Sequence, residues 1–156
     1  MRGGPNVIVR TGGPNDLRFL RDMLRHAYYW RDMGQGLPVS RYVDRWGRRG
    51  DTAVVALEGM HPVGAAWYRL FSAAEPGYGF VDEDTPELTI AVAPAQRGKG
   101  VGSQLLEELL RRAKGAGFPS ISLSVREDEP ARALYERYGF QKVAEEGDVW
   151  TMRAEL

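Results

Sequence analysis

A glycine-rich segment near the middle of the chain has the composition of an anion-binding loop. It follows the apolar run Leu88–Val92, which predicts a strand, and it precedes leucines at helical spacing. A strand that turns through glycines into a helix exposes backbone N–H groups at the positive end of the helix dipole. Because glycine lets a phosphate approach the backbone closely, the segment is predicted to bind a phosphate-containing ligand. Its residues are Arg97, Gly98, Lys99, Gly100, Val101, Gly102 and Ser103.

Two common nucleotide-binding motifs fit this loop poorly. The sequence contains no G-x-x-x-x-G-K-[ST] string, so a Walker loop is excluded. Gly98 and Gly100 could begin a dinucleotide-binding fingerprint, but Ser103 stands where that motif has glycine. The fingerprint also belongs to the first strand of a larger fold, for which too little chain remains. A glycine-rich turn in which Gly102 only admits close helix packing is the structural alternative.

This loop and a second segment downstream together resemble a known family. The pattern Arg97-x-x-Gly100-x-Gly102 matches the Q/R-x-x-G-x-G/A acyl-CoA motif of the GNAT superfamily of N-acetyltransferases. Residues 128–140 read D-E-P-A-R-A-L-Y-E-R-Y-G-F and are similar to the family's N-x-x-A-x-x-L-Y-x-x-x-G-F segment. The two motifs have the order and separation of the family, although Asp128 replaces its usual asparagine.

The resemblance implies a fold and a cosubstrate. It implies one domain over residues 1–156, of the mixed α/β (α+β) class. The central sheet would be mostly antiparallel, with about seven strands and about four flanking helices. The implied cosubstrate is acetyl-CoA or a close acyl-CoA, with its pantetheine arm along a strand and its pyrophosphate at the glycine loop. The predicted cofactor-binding residues are Ile90, Ala91, Val92, Arg97, Gly98, Lys99, Gly100, Val101, Gly102, Ser103, Asp128 and Ala131.

The resemblance also implies a reaction, namely acetyl transfer to a primary amine. Direct attack in a ternary complex is expected, because the sequence has no cysteine to carry the acyl group. Tyr135 is the predicted general acid, since a phenol with a pKa of about 10 stays protonated at neutral pH. Glu87 is the predicted base, with the acidic segment 82–84 as the alternative. The competing interpretations are a core aromatic residue for Tyr135 and a solvated strand-end charge for Glu87.

The sequence leaves the identity of the amine acceptor open. If the acidic loop before the central strand covered the acyl end of the cofactor, it would attract a cationic amine. Tyr28, Tyr29 or Trp30 could then add an aromatic wall. A solvated loop facing away is the alternative, and a small-molecule amine and a peptide amine both fit. A non-catalytic acyl-CoA sensor is the competing class of function, which Tyr135 disfavours and Asp128 leaves open.

Composition narrows the remaining classes of function. The 21 basic and 21 acidic residues give a formal net charge of zero, which argues against nucleic acid as a partner. The absence of cysteine excludes disulfides, and with only His26 and His61 no metal site is expected. No apolar run has the length of a membrane span, and no signal-peptide core is seen, so we expect a cytoplasmic protein without a membrane partner. The oligomeric state stays open, a homodimer included.

The pattern of apolar residues predicts the elements that position these groups. A first helix follows Asn15 or Asp16, a short second helix falls within 34–50, and two more begin near Gly100 and Pro130. The predicted strands cover residues 7–10, 52–57, 63–71, 87–92, 121–125, 140–143 and 149–153.

Overall fold

Seven strands form one sheet in the computed structural model, which describes residues 7–28 and 39–156. Neighbouring strands are antiparallel except for the central pair, β4 and β5, which are parallel. Their order across the sheet is β1-β2-β3-β4-β5-β7-β6. The strands are β1 (Val7–Thr11), β2 (Thr52–Glu58), β3 (His61–Arg69), β4 (Glu87–Val92), β5 (Ser120–Arg126), β6 (Gln141–Glu146) and β7 (Val149–Glu155).

Three α-helices flank the sheet within the described ranges. They are α1 (Leu17–Ala27), α2 (Val101–Gly115) and α3 (Ala131–Arg137), and 3-10 turns cover Pro14–Asp16, Val39–Tyr42 and Pro94–Gln96. The predicted mixed fold and seven-stranded sheet are confirmed. The helix predicted within 34–50 is reduced, where described, to the turn Val39–Tyr42, because Gly47 and Gly50 adopt left-handed backbone conformations that end regular structure. Residues 34–38 lie outside the described ranges.

The central parallel strands separate almost as soon as they meet. Their residue pairing is limited to Glu87 opposite Ser122. At this level the backbone of Gly79 bridges the two strands, because its N–H donates to Glu87 Oε2 (3.0 Å) and its carbonyl accepts from Ser122 Oγ (2.7 Å). A Cβ on Gly79 would lie 2.7 Å from the carbonyl carbon of Leu123, so only glycine fits. Beyond this bridge, the edge of β4 that faces β5 is left without a strand partner.

One hydrophobic core lies between the sheet and α2. Leu105, Leu106 and Leu109 recur at helical spacing and are completely buried. They pack in the same cluster as Ile121 and Leu123 of β5. Since burying one leucine stabilises a fold by about 1.5–3 kcal/mol, this face fixes α2, and with it the glycine loop, on the sheet.

A second core lies on the opposite face, under α1. Leu20 and Leu24 of that helix pack there with Trp67 of β3 and with Tyr42. The indole of Trp67 donates a hydrogen bond of 3.0 Å to the carbonyl of Tyr42, so the turn containing Tyr42 is held on the sheet. The two cores place α1 and α2 on opposite sides of the gap between β4 and β5.

A buried ion pair anchors the segment that carries Tyr42. The Arg69 guanidinium contacts both carboxylate oxygens of Asp51, at 2.8 and 2.9 Å, and each side chain is only 1% exposed. Arg69 also donates to the carbonyls of Arg41 (2.9 Å) and Asp44 (2.7 Å). One strand residue therefore fixes both ends of the 41–51 segment.

Candidate functional site

A cavity of about 600 Å³ opens where β4 ends and α2 begins. Both motifs predicted from the sequence contribute to its wall, together with His26 and Ala27 at the end of α1. The predicted cofactor-binding residues that line it are Ile90, Ala91, Val92, Arg97, Gly98, Gly100, Val101, Gly102, Ser103 and Ala131. The fold thus brings most of the predicted site together.

The glycine loop has the backbone geometry of an anion cradle. Gly98 and Gly100 have φ of +80° and +82°, values that residues with a side chain rarely adopt. Gly100, in this left-handed conformation, caps the N-terminus of α2. The first turn of α2 carries no acidic residue and no side-chain cap. The first N–H groups of α2 have no partners within the helix, and they form the positive end of its dipole. The loop can therefore hold a phosphate.

Two predicted cofactor residues are not part of the cavity wall. Lys99 is exposed at the tip of the loop. Asp128 has a 71% exposed side chain and accepts a hydrogen bond of 3.1 Å from Arg126. Because a carboxylate only accepts hydrogen bonds, Asp128 cannot donate one to a cofactor, as an asparagine at this position could.

Tyr135 projects from α3 into the wall of the cavity. It is 8% exposed, and its ring packs edge-to-face on Phe140 at 5.9 Å between centroids. Burial, followed by the charge of Glu129, raises the pKa of the Tyr135 hydroxyl above its ordinary value. The hydroxyl is therefore protonated throughout the neutral range and available as a hydrogen-bond donor.

Glu87 lies inside the protein and not at a solvated strand end, so that interpretation of it is wrong. Its side chain is 1% exposed, and its Oε2 accepts hydrogen bonds from the Tyr42 hydroxyl (2.5 Å) and the Gly79 N–H (3.0 Å). The Tyr42 oxygen in turn accepts the N–H of Tyr78 at 2.7 Å. Glu87 is not among the residues that line the cavity.

Tyr28 completes this buried cluster. Its ring lies 5.2 Å from that of Tyr42 and 5.6 Å from that of Tyr78. Burial, followed by the charge of Glu87, raises the pKa of the Tyr28 hydroxyl above its ordinary value. Tyr28 is thus a core residue behind the cavity, while Tyr29 and Trp30, the other predicted aromatic wall residues, lie outside the described ranges.

The acidic loop lies away from the cavity. Asp82, Glu83 and Asp84 are exposed, and the Thr85 hydroxyl lies 3.2 Å from that of Ser120, at the opposite end of β5 from the cavity. The structure therefore favours the solvated-loop interpretation over electrostatic steering of the acceptor.

Several residues of the site gave no signal in the sequence. Glu129, just before α3, and Arg137, in its last turn, also line the cavity. Tyr42 lies far from Glu87 along the chain and reaches it only through the fold. The described ranges contain no group of three or more histidine, cysteine or acidic residues placed to hold a metal ion. None of the described helices is long and apolar enough to cross a membrane.

Comparison with known proteins identifies the family. The acetyltransferase (GNAT) family model matches residues 17–140. The chain is 48% identical over 56 residues to the N-alpha-acetyltransferase RimI of Mycobacterium tuberculosis, a match covering 35% of this chain and 34% of that protein. It is 43% identical over 54 residues to the ribosomal protein bS18-alanine N-acetyltransferase of Haemophilus influenzae, covering 35% of this chain and 37% of that protein.

These matches span little more than a third of either curated relative. Agreement over nearly the whole chain comes from solved structures. The crystal structure of the PaiA N-acetyltransferase from Thermoplasma acidophilum in complex with coenzyme A superposes with a TM-score of 0.68. That superposition covers 97% of this chain and 100% of that chain at 17% identity, so it shows a shared fold. Since the family model spans most of the sequence, the protein belongs to the GNAT family of acetyltransferases.

Proposed function

We propose that this protein is an N-acetyltransferase that moves an acetyl group from acetyl-CoA to a primary amine. The observation that carries the proposal is that one cavity is lined by both an anion cradle, Gly98–Ser103, and a protonated buried phenol, Tyr135. The cradle suits the pyrophosphate of a coenzyme, and the phenol suits a departing sulfur. Membership of the acetyltransferase family supports the same assignment.

The residues present fit coenzyme A. The unpartnered edge of β4 beyond Glu87 offers backbone N–H and C=O groups to the amides of a pantetheine arm, as if to an added strand. The N-terminus of α2 offers its free N–H groups to the pyrophosphate. When bound, acetyl-CoA supplies an acetyl group activated as a thioester.

The side chains around this site have separable roles in the proposed mechanism. Tyr135 donates a hydrogen bond, and then a proton, to the departing sulfur. The burial that raises the pKa of Tyr135 would also raise the pKa of a thiol bound next to it. Glu87 is the proposed acceptor of the ammonium proton. Because it lies behind the cavity wall, it acts through an intervening water or hydroxyl group. The amine attacks directly, since the chain has no cysteine to form an acyl intermediate. The nitrogen loses a second proton as the C–S bond breaks and the amide forms, and this proton restores the one that Tyr135 gave to the sulfur.

For the acceptor we propose the α-amino group of a peptide or protein. One similar protein is named an N-alpha-acetyltransferase, and another is named for N-acetylation of alanine in ribosomal protein bS18. The α1 side of β5 and β7 supports this, because the polar residues Arg126, Thr151 and Arg153 are partly exposed there. Among the described residues, the second core, under α1, contains none from β5 or β7. An open polar face suits an extended acceptor better than a closed pocket would.

A matched pair of amines tests this assignment. Release of free thiol from acetyl-CoA is measured with an alanine-starting hexapeptide and with alaninamide, which carries the same reacting amine on a small molecule. We expect kcat/KM to be at least about tenfold higher for the peptide, since only the peptide contacts the open face. Equal values would contradict the peptide assignment. Coenzyme A binding without thiol release from any amine would instead identify an acyl-CoA sensor.

Replacing Gly102 with valine tests the cofactor site. A Cβ there meets only Leu134 and Val92, each at an ordinary 3.9 Å, so the apoprotein folds. The branched side chain intrudes on the phosphate position at the start of α2, and we expect about a hundredfold loss of coenzyme A affinity by calorimetry. Gly115→Val, at the open far end of the same helix, is the control and should bind normally. Unchanged affinity in Gly102→Val would refute this location.

A further inference from the structure

Three serines on one face of β5 differ in how their hydroxyl groups are used. The Ser120 hydroxyl pairs with that of Thr85 at 3.2 Å, and the Ser122 hydroxyl donates to the carbonyl of Gly79 at 2.7 Å. The Ser124 hydroxyl is shielded from solvent and has no hydrogen-bond partner among the described residues. Buried hydroxyl groups are rarely left unpaired, so this oxygen is available to a ligand.

The register of the sheet places Ser124 at the gap between the central strands. Ser122 is paired with Glu87, and alternation then directs Ser124 of β5 and Thr89 of β4 to the same α1 side. The Gly79 backbone closes the gap at the level of Ser122 and reaches the peptide between Leu123 and Ser124. Beyond that bridge, in the direction of the cavity, Ser124 is therefore the first residue of β5 whose side chain lies on the α1 side.

Different residues pack on the two sides of the gap between β4 and β5. Tyr135 packs in the core on the α2 side, whereas Ala91 packs in the core on the α1 side and also lines the cavity. The cavity thus reaches the α1 side of β4. Ser124 lies across the gap and outside the cavity wall. If the cofactor lies along β4 with its sulfur toward Tyr135, the remaining approach to its acyl end is the α1 side, next to Ser124.

We propose that the Ser124 Oγ binds the acceptor by accepting a hydrogen bond from its amine N–H. This inference rests on the proposed function and adds an acceptor-binding residue to it. A hydroxyl oxygen can accept one N–H of a neutral amine and leave the nitrogen lone pair free to attack. Serine does not remove the proton in this scheme; it orients the nucleophile, and Glu87 remains the proposed proton acceptor.

Ser124→Ala tests the role directly. The alanine-starting hexapeptide is titrated by calorimetry into the protein saturated with coenzyme A, and its KM is measured separately with acetyl-CoA. Loss of one hydrogen bond should weaken peptide affinity and raise its KM about tenfold. Coenzyme A affinity and the melting temperature should stay at their wild-type values. Ser120→Ala is the control and should leave peptide affinity and KM at their wild-type values, because it removes a hydroxyl from the same face of β5 at the end away from the cavity, where that hydroxyl contacts Thr85.

The outcomes separate this inference from the proposed function. Wild-type peptide affinity and KM in Ser124→Ala would overturn the role of the hydroxyl while leaving the acetyltransferase assignment intact. A loss of coenzyme A affinity would also overturn it, by placing the hydroxyl on the cofactor. Failure of the wild-type protein to release thiol with any amine would contradict the proposed function itself.

Discussion

Replacing Tyr135 with phenylalanine should lower kcat by about a hundredfold to ten-thousandfold, the usual contribution of a positioned proton donor. The ring remains packed on Phe140, so the cavity keeps its shape and only the hydroxyl is lost. Coenzyme A affinity, measured by calorimetry, should change by less than about twofold, because the pyrophosphate is held at the start of α2. The effect should therefore appear in kcat and not in cofactor binding.

Tyr138→Phe provides the matched control for that substitution. Tyr138 follows the same helix, and its hydroxyl donates to Glu107 at 2.5 Å on the protein surface, outside the cavity. Removing this hydroxyl should leave kcat at its wild-type value. Wild-type turnover in Tyr135→Phe would refute the role of Tyr135 in donating to sulfur, and equal losses in both variants would indicate a structural effect of α3.

Replacing Asp51 with alanine should reduce the free energy of unfolding by about 3–5 kcal/mol, measured by urea denaturation. The substitution leaves the Arg69 guanidinium, which is 1% exposed, without its carboxylate partner. It also removes the acceptor of the Gly47 and Arg48 N–H groups, both at 2.9 Å. A domain of this size is stable by only about 5–15 kcal/mol, so the variant should be close to unfolding.

Asp22→Ala is the control for charge alone. Asp22 pairs with Arg25 on the surface of α1, where the two side chains are 51% and 72% exposed, and its loss should cost less than about 1 kcal/mol. If Asp51→Ala were no more destabilising than Asp22→Ala, the buried pair would not anchor the 41–51 segment. We also expect Asp51→Ala to disturb the Tyr42–Glu87 hydrogen bond, because Arg69 also holds the carbonyl of Arg41, next to Tyr42.

The glycine-loop side of the candidate site could be predicted from sequence because its signals are local. Glycines between an apolar strand and an amphipathic helix specify a turn with free N–H groups, whatever the rest of the chain does. The 128–140 segment likewise encodes a short helix that presents Tyr135 and Leu134 on one face. Both segments are found at the predicted places, and both line the cavity.

Roles that depend on distant parts of the chain could not be predicted in this way. The residues around Glu87, at the start of β4, would be the same whether its carboxylate were solvated or buried. It is buried because Tyr42 and Gly79, from two other loops, pack against Glu87. The acidic loop before β4 has a composition that suits steering, but the path of the chain carries it to the far end of β5.

The sequence by itself determined the glycine cradle and the helix that presents Tyr135, since each follows from the periodicity or backbone freedom of a short segment. Its motifs implied the fold class through the family that they resemble. Only the tertiary structure decided which polar groups are satisfied. Ser120, Ser122 and Ser124 are equivalent in the alternation of β5, yet just two of them find partners. The reason is that hydrogen-bond partners and solvent exclusion come from the elements packed across the sheet, and the separation of β4 from β5 leaves Ser124 facing the gap.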